Sequence, residues 1–275
     1  MLSRGNHFFP VPVLRLISII CVLPLAAKAA NETPAPLPPQ AKSVEGILVP
    51  VPSEVFHSLD EFHSANWRAV QRPEIVRWKS RGDQVQIALL LGAVIAEGFV
   101  AMEAEDSAEV KNVGTKALAL ARGLGVERSV LRRSRSIMDH TDKAEWDAAR
   151  KEWDGVLADL EQGMIALKSE PLAQLVSISG WLRGTEGLCV LLLQDFSPER
   201  AQIIQQPAML DYLEKQLVSM PGRKRNHPMV VKMLEGLRKI RSLLDEANGS
   251  ISEQTVREIG KTCTELVATS SHRPA

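Results

Sequence analysis

One tyrosine, three cysteines and no excess of either charge are the first marks of this 275-residue chain. Its 33 Lys and Arg are matched by 33 Asp and Glu. That balance gives no general attraction to polyanions and argues against nucleic acid as a partner. Cysteine is too scarce to staple a small fold, and the chain is long enough to bury a real core without staples. Cys189 and Cys263 lie on apolar stripes and read as free buried thiols rather than a disulfide. There is no Gly-x-Ser-x-Gly elbow, no glycine-rich phosphate loop and no Cys-x-x-Cys-His. Neither cysteine has a histidine close in sequence. The chain therefore carries no sequence signature of a nucleophile, a nucleotide site or covalent haem, and no cofactor is implied.

Period-two alternation is also missing, and helical periodicity runs almost unbroken from Ser53 onward, which predicts an all-α fold. Ahead of it, Arg4 and Arg15 precede an apolar run over residues 16–27, and Ala27-Lys28-Ala29 has the small-x-small pattern of a secretory cleavage site. Residues 1–29 are expected to be a signal peptide. The apolar run is too short for a membrane span, which needs roughly 20 residues. Ile20 before Cys21 lacks the small residue that bacterial lipoprotein signals place there. Removal of 1–29 takes three cations and no acids, leaving 30 basic residues against 33 acidic ones. A periplasmic or secreted protein is expected. Prolines 34, 36, 38, 39, 50 and 52 make residues 30–52 an expected disordered tether, and residues 53–275 the helical domain.

Caps and periodicity place the helices. Ser53 opens a short helix, and a stretch from Trp67 to Trp78 breaks at Pro73. Asp106 with Glu109 starts a helix whose stripe is Val110, Val113, Ala117, Leu120 and Leu124, ending at Gly125. A helix is expected over residues 130–138. Asp142 with Glu145 is expected to open the next, where Trp146, Ala149, Trp153, Val156, Leu160, Gly163 and Leu167 repeat with bundle spacing. Pro171 and Ser197-Pro198-Glu199 mark further starts, a helix is expected over 229–247, and Ser250 with Glu253 is read as the last cap.

Two helices break the amphipathic rule. Residues 87–102 contain one charge, Glu97, and residues 172–193 contain two, Arg183 and Glu186. A helix that is apolar nearly all round is buried on all sides or sits in a membrane. The first run is short for a span and the second carries opposite charges with serines and glycines, so both are assigned to the centre of a bundle, with no span in the mature chain. They also resemble each other: Glu97-Gly98 matches Glu186-Gly187 and Asp106 matches Asp195, all at one offset. This suggests two eroded four-helix repeat units, 83–168 and 171–269.

Three sets of residues are candidates for function. Ala88, Gly92 and Ala96, and Gly180 and Gly184, fall four apart and would let the two central helices cross closely. Glu97, Arg183 and Glu186 form a candidate buried charge cluster in which the Arg183 fork serves both carboxylates. Arg128, Arg132 and Arg135 on one helix face, and Arg223, Lys224 and Arg225 in a turn, form basic patches, read as solvated faces balanced by nearby acids. Glu54 with His57 and Asp60 with His63 have acid-x-x-His spacing, but both pairs fall on one short helix, away from its apolar side, so no metal site is assigned. The sequence thus points to an exported cell-envelope helical protein with a non-catalytic interaction or scaffold role. The alternative is a binder of a hydrophobic or amphipathic small molecule between the central helices, and an enzyme of unrecognised type stands third. The expected partner is another envelope protein or a hydrophobic ligand.

Overall fold

Helix succeeds helix from Trp67 onward because side-chain oxygens and prolines sit where orphan backbone donors need them. The computed structural model describes residues 41–44, 47–50, 65–80 and 82–271, within one compact unit spanning Leu37–Ala275. Asn66 caps α1 (Trp67–Val70), and Pro73 precedes α2 (Glu74–Arg77). The Asp83 side chain accepts from the Gln86 amide at the start of α3 (Gln84–Glu103). Asp106 does the same for Glu109 at α4 (Ser107–Gly123), as its capping pattern predicts. α5 (Glu127–Asp142) and α6 (Trp146–Ala166) follow, then α7 (Glu170–Gln194) with Pro171 in its first turn. Ser197 caps α8 (Pro198–Ala201), which continues into a 3₁₀ turn, Gln202–Ile204. α9 (Pro207–Ser219), the short α10 (Gly222–Arg225), α11 (Pro228–Glu246) and α12 (Glu253–Thr269) complete the chain.

The molecule is an all-α helical bundle with α3 and α7 at its centre. These two form the largest helix–helix contact. α4 and α6 cover α3; α12 and α9 cover α7; α5 closes over α4 and α6, and α11 over α9 and α12. Trp153 of α6 locks the first set: its indole N–H donates to the Ile95 carbonyl at 3.2 Å. A side chain at Gly98 would overlap its ring, so only glycine admits this tryptophan against α3. Gln86 ties the start of α3 to the Ser270 carbonyl beyond α12, at 2.9 Å. By length and composition α3 and α7 are apolar enough to cross a membrane, yet the most apolar window of α3 lies wholly inside the protein and 83% of that of α7 does too. Their apolar character is accounted for by cover from other helices.

Several expectations are corrected. The segment read as a tether holds a two-stranded antiparallel hairpin, β1 (Ala41–Val44) and β2 (Ile47–Pro50), with Ala41 opposite Pro50 and Val44 opposite Ile47. Val44, Ile47 and Val49 are strand formers, and Pro50 stands at a strand end where its missing donor costs least. β1 runs beside α6 and β2 beside α7. Asp142 ends α5 instead of opening α6, whose first turn follows Glu145, and Ser252 rather than Ser250 caps α12. Leu167, placed on the buried stripe of α6, is exposed because the helix ends at Ala166 and the chain turns away. The expected signal peptide, most of the tether, the Ser53 helix and the Glu54, His57, Asp60 and His63 pairs lie outside the described residues.

Candidate functional site

The crossing of α3 and α7 is set by two backbones in direct contact. A Cβ built on Gly92 would overlap the Val176 carbonyl oxygen and lie 2.9 Å from the Gly180 amide nitrogen. Gly180 has room for one, since its nearest neighbour, the Gly92 carbonyl oxygen, would be 3.5 Å away. Ala88 and Ala96 are buried on either side of Gly92. Gly184 does not belong to the crossing: a Cβ there would meet nothing within 4 Å. The small-residue pattern therefore works through Gly92, with Val176 and Gly180 opposite it.

Less than one helical turn beyond Gly180 lies the charge cluster. Glu97 of α3 and Arg183 of α7 are both 0% exposed, and Arg183 is the largest fully buried side chain of the core. Arg183 donates to Glu97 Oε2 from Nε at 3.0 Å and from Nη2 at 2.6 Å; Nη2 also donates to the Val70 carbonyl at 2.6 Å. The expected fork serving both carboxylates does not form. Glu186 Oε2 stands 3.7 Å from Arg183 Nε, an ion-pair distance without a hydrogen bond. Glu186 instead accepts on Oε1 from Arg72 Nη1 at 2.5 Å and from the Thr264 hydroxyl at 2.7 Å. The Arg72 amide completes Glu97, donating to Oε1 at 2.6 Å.

Arg72 is the member that sequence reasoning missed. It lies between α1 and α2, where no periodicity marks a residue as inward-facing, and it is held from outside by Glu74 at 2.7 Å and by the Trp78 ring, 5.8 Å from its guanidinium. Two cations thus face two carboxylates across α3, α7, α12 and the α1–α2 link. Gly187 makes this possible, because a Cβ there would press on Val70 and lie 3.3 Å from Arg183 Nη1. Arg183 Nη1 and Glu186 Oε2 have no hydrogen-bond partner.

A second buried carboxyl was also unforeseen. Glu161 of α6 is 0% exposed and accepts from the Ser177 hydroxyl of α7; its Oε2 has no partner. Burial without a cation pushes this carboxyl up to about 8, and the Ser177 hydrogen bond opposes the shift only in part. The signal was present in the sequence: Leu157, Glu161 and Met164 stand at helical three-four spacing, a lone acid on an apolar stripe.

Cys189 and Cys263 are free and buried. Burial pushes the Cys189 thiol up to about 12, helped by the Glu186 charge, and raises Cys263 well above its usual range. Both are poor nucleophiles in this state. Among the described residues no three His, Cys, Asp or Glu side chains are placed to hold a metal ion. An apolar pocket between α3, α4, α5 and α6, lined by Leu91, Val110, Ile137 and Trp153 among others, has about 20 Å³ of room, close to one water-sized sphere. An open cleft of about 470 Å³ lies beside Glu105, Trp146 and Arg150.

The basic patches separate on inspection. Arg133 is paired with Asp159 and Glu152, whereas Arg128, Arg132 and Arg135 are exposed. Arg223 and Arg225 are exposed and Lys224 half-buried in the α9–α11 connection. No protein family model, curated protein or solved structure matches the chain.

Proposed function

We propose that this is an exported helical protein of the cell envelope, periplasmic or secreted, with a non-catalytic interaction or scaffold role. The observation that carries the reading is the use of the central polar groups on one another. Arg183 and Glu97 are spent in an internal pair, Glu186 is taken by Arg72 and Thr264, and Gly92 brings the α3 and α7 backbones into contact where a ligand slot would have to open. A buried pair of this kind specifies which helix meets which more than it adds stability. Export rests on Arg4, Arg15, the apolar run and Ala27-Lys28-Ala29.

The second reading, a binder of a hydrophobic small molecule, has one observation in its favour: the pocket lined by Leu91 and Trp153. It lies within the α3–α6 set and not between α3 and α7, and a ligand larger than water would require the helices to part. Native mass spectrometry of protein recovered from the envelope fraction separates the readings. The expected species begins within a few residues of Ala30 and carries no retained small molecule. An intact Met1 in that fraction would overturn export, and a stoichiometric apolar ligand would favour the second reading.

A further inference from the structure

We propose that the tip joining α9 to α11 is a docking surface for an anionic phospholipid bilayer. Residues 215–234 contain five Lys or Arg and no Asp or Glu, in a chain whose 33 Lys and Arg are matched overall by 33 Asp and Glu. Several cations elsewhere are matched by acids: Arg133 with Asp159 and Glu152, Arg150 with Glu103, Arg241 with Asp211 and Glu214. The lysines and arginines of the tip are not. The side chains of Lys215, Arg223, Lys224 and Lys232 make no ion pair or hydrogen bond among the described residues, and that of Arg225 reaches only the Val218 carbonyl, at 3.5 Å. His227 is the one basic side chain there that faces an acid, Asp83, at 3.4 Å. Arg223 and Arg225 are exposed, as a solvated face requires, but no acid pairs with them among the described residues.

Apolar exposure falls on the same tip. Of the three large hydrophobic side chains exposed among the described residues, two are Val218, 47% exposed in the last turn of α9, and Val231, 41% exposed in the first turn of α11. A single exposed valine is ordinary. Two of them flanking unneutralised cations have the composition of a surface seated at headgroup level, where Lys and Arg meet phosphates and short apolar side chains enter the acyl boundary. A nucleic acid would use the cations but not the valines, and residues 215–234 contain no Phe, Tyr or Trp on which a base could stack. The α5 face of Arg128, Arg132 and Arg135 has cations without a large exposed apolar residue, and so serves as a control.

The inference extends the envelope reading, and its test needs no export, so either can fail alone. The full chain, purified as the cell makes it, is pelleted with vesicles of mixed phosphatidylglycerol and phosphatidylcholine, and with pure phosphatidylcholine. Binding to the anionic vesicles only is expected, weakening steeply as salt rises. Joint replacement Arg223→Gln, Lys224→Gln and Arg225→Gln should lower partitioning more than tenfold. Val218→Ser with Val231→Ser should lower it several-fold, and Arg128→Gln with Arg132→Gln and Arg135→Gln should leave it within about twofold. Circular dichroism checks that each variant keeps the wild-type helix signal, and Val218→Trp should be quenched by brominated acyl chains. Absence of binding to anionic vesicles, equal binding to neutral ones, or no loss in the tip variants would overturn the proposal. So would binding of single-stranded DNA in preference to vesicles, which would assign the tip to a polyanion.

Discussion

Arg183 has its whole side chain out of water and one carboxylate hydrogen-bonded to it, so its contribution is defined by what happens when it is removed. Arg183→Met strands Glu97 with only the Arg72 amide, and the expected destabilisation is roughly 3 to 5 kcal/mol. Replacing Glu97, Arg183 and Glu186 together by apolar residues of similar size should cost much less, since no core charge is then left over and Arg72 keeps Glu74 at the surface. Chemical denaturation of the single and triple variants measures the gap. A single variant within about 0.5 kcal/mol of wild type, the range for surface changes, would mean the cluster is not confined as described. The sequence marks Glu97, Arg183 and Glu186 because charge is rare on their helices. It does not mark Arg72 or Thr264, which sit among ordinary polar neighbours and are brought in only by the tertiary path of the chain.

Glu161 supplies the opposite case, a buried carboxyl without a cation. Its folded-state value is raised to about 8 against an ordinary value near 4.5, so the folded protein holds a proton that the unfolded chain releases. The stability linked to it is fully present below about pH 4.5, is lost as pH rises toward about 8, and is constant above that. Each unit of separation corresponds to about 1.4 kcal/mol, so the loss amounts to several kcal/mol at most. Glu161→Gln keeps the hydrogen bond to Ser177 and removes the titration. Unfolding free energies measured between pH 5 and 9 should converge for the two proteins at the acid end, with the glutamine variant the more stable at the alkaline end. Parallel profiles would show that Glu161 titrates like an exposed acid.

At the level of elements, the central crossing rests on one glycine and not on the five small residues that the spacing proposes. Gly92→Ala drives a methyl group into the Val176 carbonyl, a backbone atom that cannot step aside, and should cost 1 to 3 kcal/mol or more, as overpacking does. Gly184→Ala meets nothing and removes glycine's excess freedom from a helix interior, so it should stabilise by up to about 1 kcal/mol. Thermal unfolding of this pair reads opposite signs; if both shift the same way, the backbones do not touch at Gly92. The two central helices are legible in the sequence because absence of charge is a strong signal, and α4 because Asp106 and Glu109 announce it. Ends were less legible: acid pairs such as Asp142 and Glu145 look like a capping box whichever helix they belong to, and only the observed backbone distinguishes the end of α5 from the start of α6. α9 carries no such announcement, since Pro207 opens it without a side-chain cap hydrogen bond.

For the whole molecule, the question is whether the two proposed units are independent. Of the matched residues, Glu97 and Glu186 meet in one cluster, whereas Gly98 yields space to Trp153 and Gly187 to Val70 and Arg183. The third correspondence does not hold in role, because Asp106 caps α4 while Asp195 ends α7 and Ser197 supplies the next cap. Whatever their origin, neither unit can close its own core: α7 is apolar nearly all round, α12 and α9 cover part of it, and the rest is covered by α3. A fragment of residues 170–271 would expose that face together with Arg183, stripped of Glu97. We therefore expect the fragment alone to be loosely packed, with helix signal but broad side-chain resonances, and the intact protein to unfold in one cooperative step. Adding the complementary fragment of residues 65–168 should restore native-like spectra, since it returns both the apolar cover and the carboxylate. A lone fragment with sharp resonances and its own sigmoidal unfolding transition would show instead that each unit is a domain and that the α3–α7 contact is an interface between two finished folds.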